Sequence, residues 1–154
     1  MKFLVFSDLH GGDLNRVLNK KIGANGVDGV IFLGDGASGA IGTLKEKFKT
    51  VYAVRGNCDG FCDLPLEEEI TVGLKKLLIC HGHKYMVKHT SAIILAEAQR
   101  RGCDAVLFGH THLPCQAYEE GVYLLNPGAS SGYKPTCALL DVSSVGISFS
   151  VVEI

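Results

Sequence analysis

The sequence has almost no net charge: 15 Lys and Arg against 16 Asp and Glu leave −1 at pH 7. Gripping a nucleic-acid polymer or an anionic membrane needs clustered positive charge, so neither partner is expected. The chain also lacks any run approaching the ~20 apolar residues of a membrane-spanning helix. Its opening apolar stretch breaks at Ser7-Asp8, shorter than the apolar segment of a signal peptide. No internal repeat, low-complexity tract or linker-like composition interrupts it. Cys58 and Cys62 have no second close Cys pair to complete a zinc site,. Cys80, Cys103 and Cys137 sit in or beside apolar segments, where Cys behaves as a small hydrophobe. A cytoplasmic protein with reduced thiols is the expectation.

What is present is enough for a core. The 154 residues are 47% hydrophobic and 20% charged, which excludes a disordered chain and suits one domain spanning residues 1–154. Residues 2–6, 27–33 and 50–54 read as buried strands, each ending in polar or glycine residues,. Between them lie two helical patterns. The first is capped by Asp13, carries Leu14, Val17, Leu18 and Ile22, and closes at Gly23,. The second is capped by Ser38, with Ile41, Leu44 and Phe48 as its apolar stripe,. Alternating strands and helices build a parallel sheet. Further on, residues 67–72 and 74–80 read as a hairpin about Gly73,. A helix opens at Thr90 or Ser91 and stops at Gly102,. A strand covers 105–108, and three or four β-runs fill 115–154. The expected class is α/β, with a mixed sheet or two packed sheets flanked by helices.

The polar residues fall at the strand ends. Asp8-Leu9-His10, Gly34-Asp35, Gly56-Asn57-Cys58-Asp59, His81-Gly82-His83 and Gly109-His110-Thr111-His112 each follow a strand. In open α/β sheets ligands bind at that rim. Of the six His, all but His89 belong to these clusters. In extended chain, residues two apart point the same way, so Asp8 and His10 are expected to converge, as are His110 and His112. Imidazole, carboxylate and amide donors suit Mn²⁺, Fe²⁺, Ni²⁺ or Zn²⁺ better than Ca²⁺ or Mg²⁺. Seven ligands are too many for one tetrahedral ion but fit two ions sharing a carboxylate.

The order Asp-x-His, Gly-Asp, Gly-Asn-x-Asp, His-Gly-His, Gly-His-x-His resembles the calcineurin-like metallophosphoesterase superfamily. The short length is similar to its small single-domain phosphodiesterase branch. The resemblance runs from residue 3 to about 130 and includes Asn126-Pro127-Gly128, with Ala129 ahead of Ser130. It implies a four-layer α/β/β/α sandwich with mixed sheets. It also implies one metal on Asp8, His10, Asp35 and His112, and a second on Asp35, Asn57, His81 and His110, with Asp35 bridging. Mn²⁺ leads as the ion, with Ni²⁺, Fe²⁺ and Zn²⁺ behind it. The implied activity is hydrolysis of small phosphodiesters by a metal-bridging hydroxide.

Cys58 departs from the family pattern, since many members carry there a His oriented by the following acid, here Asp59. A neutral thiol is a poorer proton donor than an imidazolium near pH 7. Either turnover is modest, or His83 donates the proton, or Cys58 merely fills space beside a metal. Arg55 can hold a phosphate oxygen or be a solvated strand-end residue. Phe61 and Tyr133 can wall a pocket for a base or aryl group, or simply pack. The competing readings are a phosphomonoesterase or phosphoprotein phosphatase, and a non-catalytic scaffold of the same fold. The expected partner is a small phosphate ester, and homo-oligomer formation is left open.

Overall fold

The computed structural model describes residues 1–20 and 26–154. Strands β1 (Lys2–Phe6), β2 (Gly29–Phe32) and β3 (Val51–Ala53) run parallel, separated by helices α1 (Leu14–Leu18) and α2 (Ala37–Lys47). The hairpin follows as β4 (Glu67–Val72) and β5 (Lys75–Cys80), then helix α3 (Ala92–Arg100) and strand β6 (Ala105–Leu107). The tail supplies β7 (Pro114–Glu119), β8 (Val122–Pro127), β9 (Thr136–Val142) and β10 (Ile147–Glu153). One five-stranded sheet has the order β10-β9-β1-β2-β3 and the other β4-β5-β6-β8-β7. The tail therefore divides between the sheets: β7 and β8 join the second, and β9 returns antiparallel to β1 in the first.

Alternation along each central strand builds the layers. Phe3, Val5, Ile31 and Leu33 face Leu77, Ile79, Ala105 and Leu107 in a core between the sheets. Leu4, Phe6, Val30 and Phe32 turn the other way, onto Leu14, Val17, Leu18, Ala40 and Leu44 of α1 and α2. Leu78, Cys80 and Val106 pack likewise against Ile94, Leu95 and Ala98 of α3. Central strands buried on both faces explain the near-continuous apolar runs. The result is the expected four-layer α/β/β/α sandwich with two mixed sheets.

Some boundaries differ from the sequence expectation. Asp13 does cap α1, its side chain accepting from the Asn15 amide at 2.9 Å. The expected continuation through Ile22 to Gly23 lies outside the described residues. Helix α2 starts at Ala37 after Gly36, rather than at a Ser38 cap. The Gly36 and Ala37 amides are taken by the Asp59 carboxylate, 2.8 and 2.9 Å away. A cap delivered from 22 residues downstream leaves no local signal. Leu74 belongs to the turn rather than to β5 and is 91% exposed.

Leu107→Ala, in the inter-sheet core, should cost about 2–5 kcal/mol of unfolding free energy. Leu74→Ala should stay within about 0.5 kcal/mol of the wild type. Denaturant midpoints at constant m-value test both.

Candidate metal centre

Each proposed ligand leaves a strand at its carboxyl end, and the ends of both sheets meet at one crevice. Asp8 and His10 follow β1, Asp35 follows β2 and Asn57 follows β3. His81 follows β5, and His110 and His112 follow β6. Their backbone corrects the expectation of extended chain. Asp8, His10, Asp35, His110 and His112 have φ of 55°, 43°, 61°, 66° and 61°. These are left-handed conformations that cost a non-glycine residue roughly 1–3 kcal/mol each. Convergence therefore comes from sharp bends, not from strand alternation.

The bends are held by surrounding bonds. The Asp8 amide donates to Gly34 O at 2.9 Å and the Leu9 amide to Asp35 O at 2.8 Å. Ser131 Oγ donates to Asp8 O at 2.8 Å. The Asn126 amide nitrogen donates to Gly109 O at 3.0 Å and to Thr111 Oγ1 at 3.1 Å, fixing the loop that carries His110 and His112. A Cβ on Gly109 would overlap Ser7 Oγ and stand 2.9 Å from Asp8 Oδ2, so only glycine fits there. A Cβ on Gly56 would overlap the Asp35 carboxylate.

The side chains form linked trios. Asp8, His10 and His112 offer ligand atoms within 4.8 Å of one another, as do Asp8, Asp35 and His81, and also His10, Asp35 and Cys58. His112 Nε2 lies 3.2 Å from Asp8 Oδ1, and His81 Nε2 lies 3.3 Å from Asp35 Oδ2. His10 Nε2 stands 3.7 Å from both carboxylates and 3.4 Å from His112 Nε2. Asp8 and His81 are fully buried, yet Asp8 Oδ1 and His81 Nε2 have no hydrogen-bond partner among the described residues. His81 Nδ1 sits 2.7 Å from Leu33 O. Donating from Nδ1 there turns Nε2 toward the carboxylates, so that an ion displacing any Nε2 proton would meet the lone pair in the orientation typical of a metal ligand. Orphaned carboxylate and imidazole atoms converging in one buried place fit a divalent cation.

The remaining residues are placed less uniformly. His110 is in none of these trios. Its ring packs edge-on to His81 with centroids 5.0 Å apart, and its amide donates to Asp8 Oδ2 at 3.0 Å. Asn57 is exposed, its amide nitrogen 3.3 Å from Cys58 Sγ. His83 flanks the crevice, 5.5 Å from His81 and 6.1 Å from His110 between ring centroids, with a buried, unpartnered Nδ1. Arg55 is half-buried and its Nε is also unpartnered among the described residues. Asp59 does not face the crevice partners as a free acid. Its carboxylate accepts the amides of Asp35, Gly36, Ala37 and Gly56 at 2.7–2.9 Å. Phe61 and Tyr133 are fully exposed or nearly so, and His89 is exposed. Phe61 borders a cavity of about 240 Å³ together with Ser38, Cys58 and Cys62. Asn126 and Ser131 are positioning residues that the sequence does not single out as such, and Ser7, whose buried Oγ has no partner among the described residues, packs against Gly109. Only Asn126 had a signal, in the Asn-Pro-Gly stretch.

The electrostatics follow from burial and partners. Burial alone would raise Asp35, but the adjacent His81 and the bond from the Cys58 amide hold it well below the usual carboxylate range. Before an ion binds, the Asp35 and Asp8 carboxylates in turn raise the pKa of His81 against its burial. Asp59 is likewise lowered, its burial outweighed by the four amides. Burial and the nearby His81 and Lys88 hold His110 down at about 4. Burial, His81 and Arg55 push His83 down, while desolvation and Asp35 push the Cys58 thiol up. At neutral pH the crevice thus presents an ionised Asp35, neutral imidazoles at His83 and His110, and a protonated Cys58 thiol.

Residues 1–145 match the family model described as the calcineurin-like phosphoesterase superfamily domain. The protein named probable metallophosphoesterase YsnB of Bacillus subtilis is 31% identical, over 84% of this chain and 75% of its own. Phosphodiesterase YfcE of Escherichia coli K12 is 28% identical, over 85% of this chain and 80% of its own. Among solved structures, a predicted phosphoesterase from Streptococcus pneumoniae superposes with TM-score 0.80 at 26% identity, covering 99% of this chain and 88% of that one. A zinc-complexed Vps29 from Entamoeba histolytica shares the fold, with TM-score 0.80 at 20% identity and 99% of both chains covered.

Two variants test the scaffolding of the crevice. Gly109→Ala should weaken divalent-ion binding about 10–100-fold, read by ion titration. Asp59→Asn should destabilise the metal-free protein by about 2–3 kcal/mol at pH 7. Because the folded-state pKa of Asp59 is depressed, its stabilisation is present above the ordinary carboxylate pKa and lost as pH falls through the folded value. The gap between wild type and Asp59→Asn should therefore close on acidification, and unfolding curves at a series of pH values would show a constant gap if this is wrong.

Proposed function

The chain belongs to the calcineurin-like phosphoesterase superfamily, and on that premise we propose that it hydrolyses small phosphodiesters with two divalent metal ions. The observation that carries this reading is the pair of fully buried, unpartnered atoms, Asp8 Oδ1 and His81 Nε2, beside Asp35. Each unsatisfied buried polar atom costs about 1–3 kcal/mol, so these groups are expected to be matched by a bound cation, and the activity assay below separates an enzyme from an ion-binding scaffold.

One ion would be held by Asp8, His10, Asp35 and His112, and the other by Asp35, Asn57, His81 and His110. Bound divalent ions supply a water acidified to near-neutral pKa and a counter-charge for the phosphoryl oxygens. By resemblance to the family, Mn²⁺ is the ion expected first, with Ni²⁺, Fe²⁺ and Zn²⁺ as alternatives.

The chain's own residues set up the chemistry. Asp35 stays ionised over the working range because the Cys58 amide, 2.8 Å away, and His81 stabilise its charge. His110 keeps one ring-nitrogen lone pair free at neutral pH because its pKa is held down at about 4. Asp59 fixes the Asp35 and Gly56 amides, which positions from behind the Asp35 carboxylate that both ions would share. Arg55, through its unpartnered Nε, is the extra cation for a phosphate oxygen. A monoester carries more negative charge than a diester, and one added arginine favours the diester. Leaving-group protonation is the weak part. Cys58 is a poor acid, and His83 is largely neutral at pH 7. Esters with good leaving groups should therefore react fastest. The free thiols, Cys58 exposed among them, fit a reducing compartment such as the cytoplasm. No described helix is long and apolar enough to cross a membrane.

Metal-free protein should gain activity with Mn²⁺ on an aryl phosphodiester, and more slowly on an aryl phosphomonoester. Asp35→Asn should lower the rate by at least about 100-fold. Faster monoester cleavage would make the protein a phosphomonoesterase, and inactivity on both with ions bound would favour the scaffold. Cys58→His should raise turnover on poor leaving groups by supplying an imidazole donor, whereas an equal or lower rate with metals retained would contradict the missing-donor account.

A further inference from the structure

Cys58 is in the crevice, not merely near it. Its Sγ, a His10 ring nitrogen and an Asp35 carboxylate oxygen lie within 4.8 Å of one another, a spacing suited to donors around one ion. The Cys58 amide donates to Asp35 Oδ1 at 2.8 Å, which locks the residue beside the carboxylate assigned above to both ions. The Asn57 amide nitrogen donates to Sγ at 3.3 Å. Such a bond stabilises negative charge on sulfur and leaves the Asn57 oxygen available. Asp8 Oδ1 and His81 Nε2, buried and unpartnered, mark the same crevice as a ligand site. Cys58 is exposed, so an incoming ion reaches the sulfur without the core opening.

We infer that Cys58 supplies a sulfur donor to the ion held by His10 and Asp35. The inference rests on the metal-centre reading and sharpens its choice of ion. On binding, the thiol proton leaves to buffer and a sulfur–metal bond forms in its place. Thiolate is a soft ligand, so it moves that position away from Mn²⁺ and Mg²⁺ toward Zn²⁺ and Co²⁺. While ligated, Cys58 cannot protonate a leaving group.

The test is titration of reduced, metal-free full-length protein with Co²⁺, following the near-ultraviolet sulfur-to-cobalt charge-transfer band, with bound Co²⁺ counted by equilibrium dialysis. The wild type should develop the band as Co²⁺ binds. Cys58→Ser should bind Co²⁺ without it, and Cys62→Ser should keep it. Cys58→Ser should also lower the ratio of Zn²⁺ to Mn²⁺ affinity by at least about tenfold. Bound Co²⁺ without a band, or a band surviving in Cys58→Ser, overturns the inference and leaves the metal centre standing. Failure to bind Co²⁺, Zn²⁺ or Mn²⁺ at all overturns both.

Discussion

Asp8 and Asp35 lie buried together at the seam where the carboxyl ends of two sheets meet. Among the described residues, only histidines come within ion-pair distance of them. Removing carboxylates from water costs several kcal/mol each unless charge or hydrogen bonds compensate. Amides compensate part of this: Cys58 N to Asp35, and His110 N to Asp8. One Asp8 oxygen and the facing His81 nitrogen stay unmatched. In the proposed centre, two divalent cations sharing Asp35 would match them, one at Asp8 and the other at His81, and the four layers bring these groups together.

Holding them there requires a second set of residues with no direct part in binding. Asp59 gathers four amides and so joins the Gly56 turn, the Asp35 bend and the start of α2. Asn126 and Ser131, from the tail, hold the His110–His112 loop and the Asp8 bend. Ser7 and Gly109 touch so closely that a methyl group would not fit. These contacts offset the strain of the five left-handed candidate ligands. They also tie both sheets to one geometry, so stability and ion affinity are expected to change together when this network is altered.

Much of this was legible in the sequence, for identifiable reasons. The central strands are buried on both faces, so 2–6 and 105–108 stood out as short apolar runs. Asp13 stood next to the amides it caps and was found by position. Ser38 has the composition of a cap but is not one, because the α2 amides are served by Asp59, which local pattern cannot reveal. The convergence of Asp8 with His10 was expected from strand alternation, whereas positive φ produces it. A dihedral at a non-glycine residue has no sequence signature. Cys58 was visible as a departure from pattern, but its closeness to His10, 48 positions away, required the fold. The division of the tail between two sheets was equally invisible, since β7 to β10 read alike.

The most direct measurement is anomalous scattering from crystals grown with Mn²⁺. The account predicts two peaks about 3.5–4 Å apart, with Asp35 between them, His81 and His110 on one side, and Asp8, His10 and His112 on the other. No peak in the crevice, with Mn²⁺ in excess and Asp8 Oδ1 still unpartnered, would contradict it.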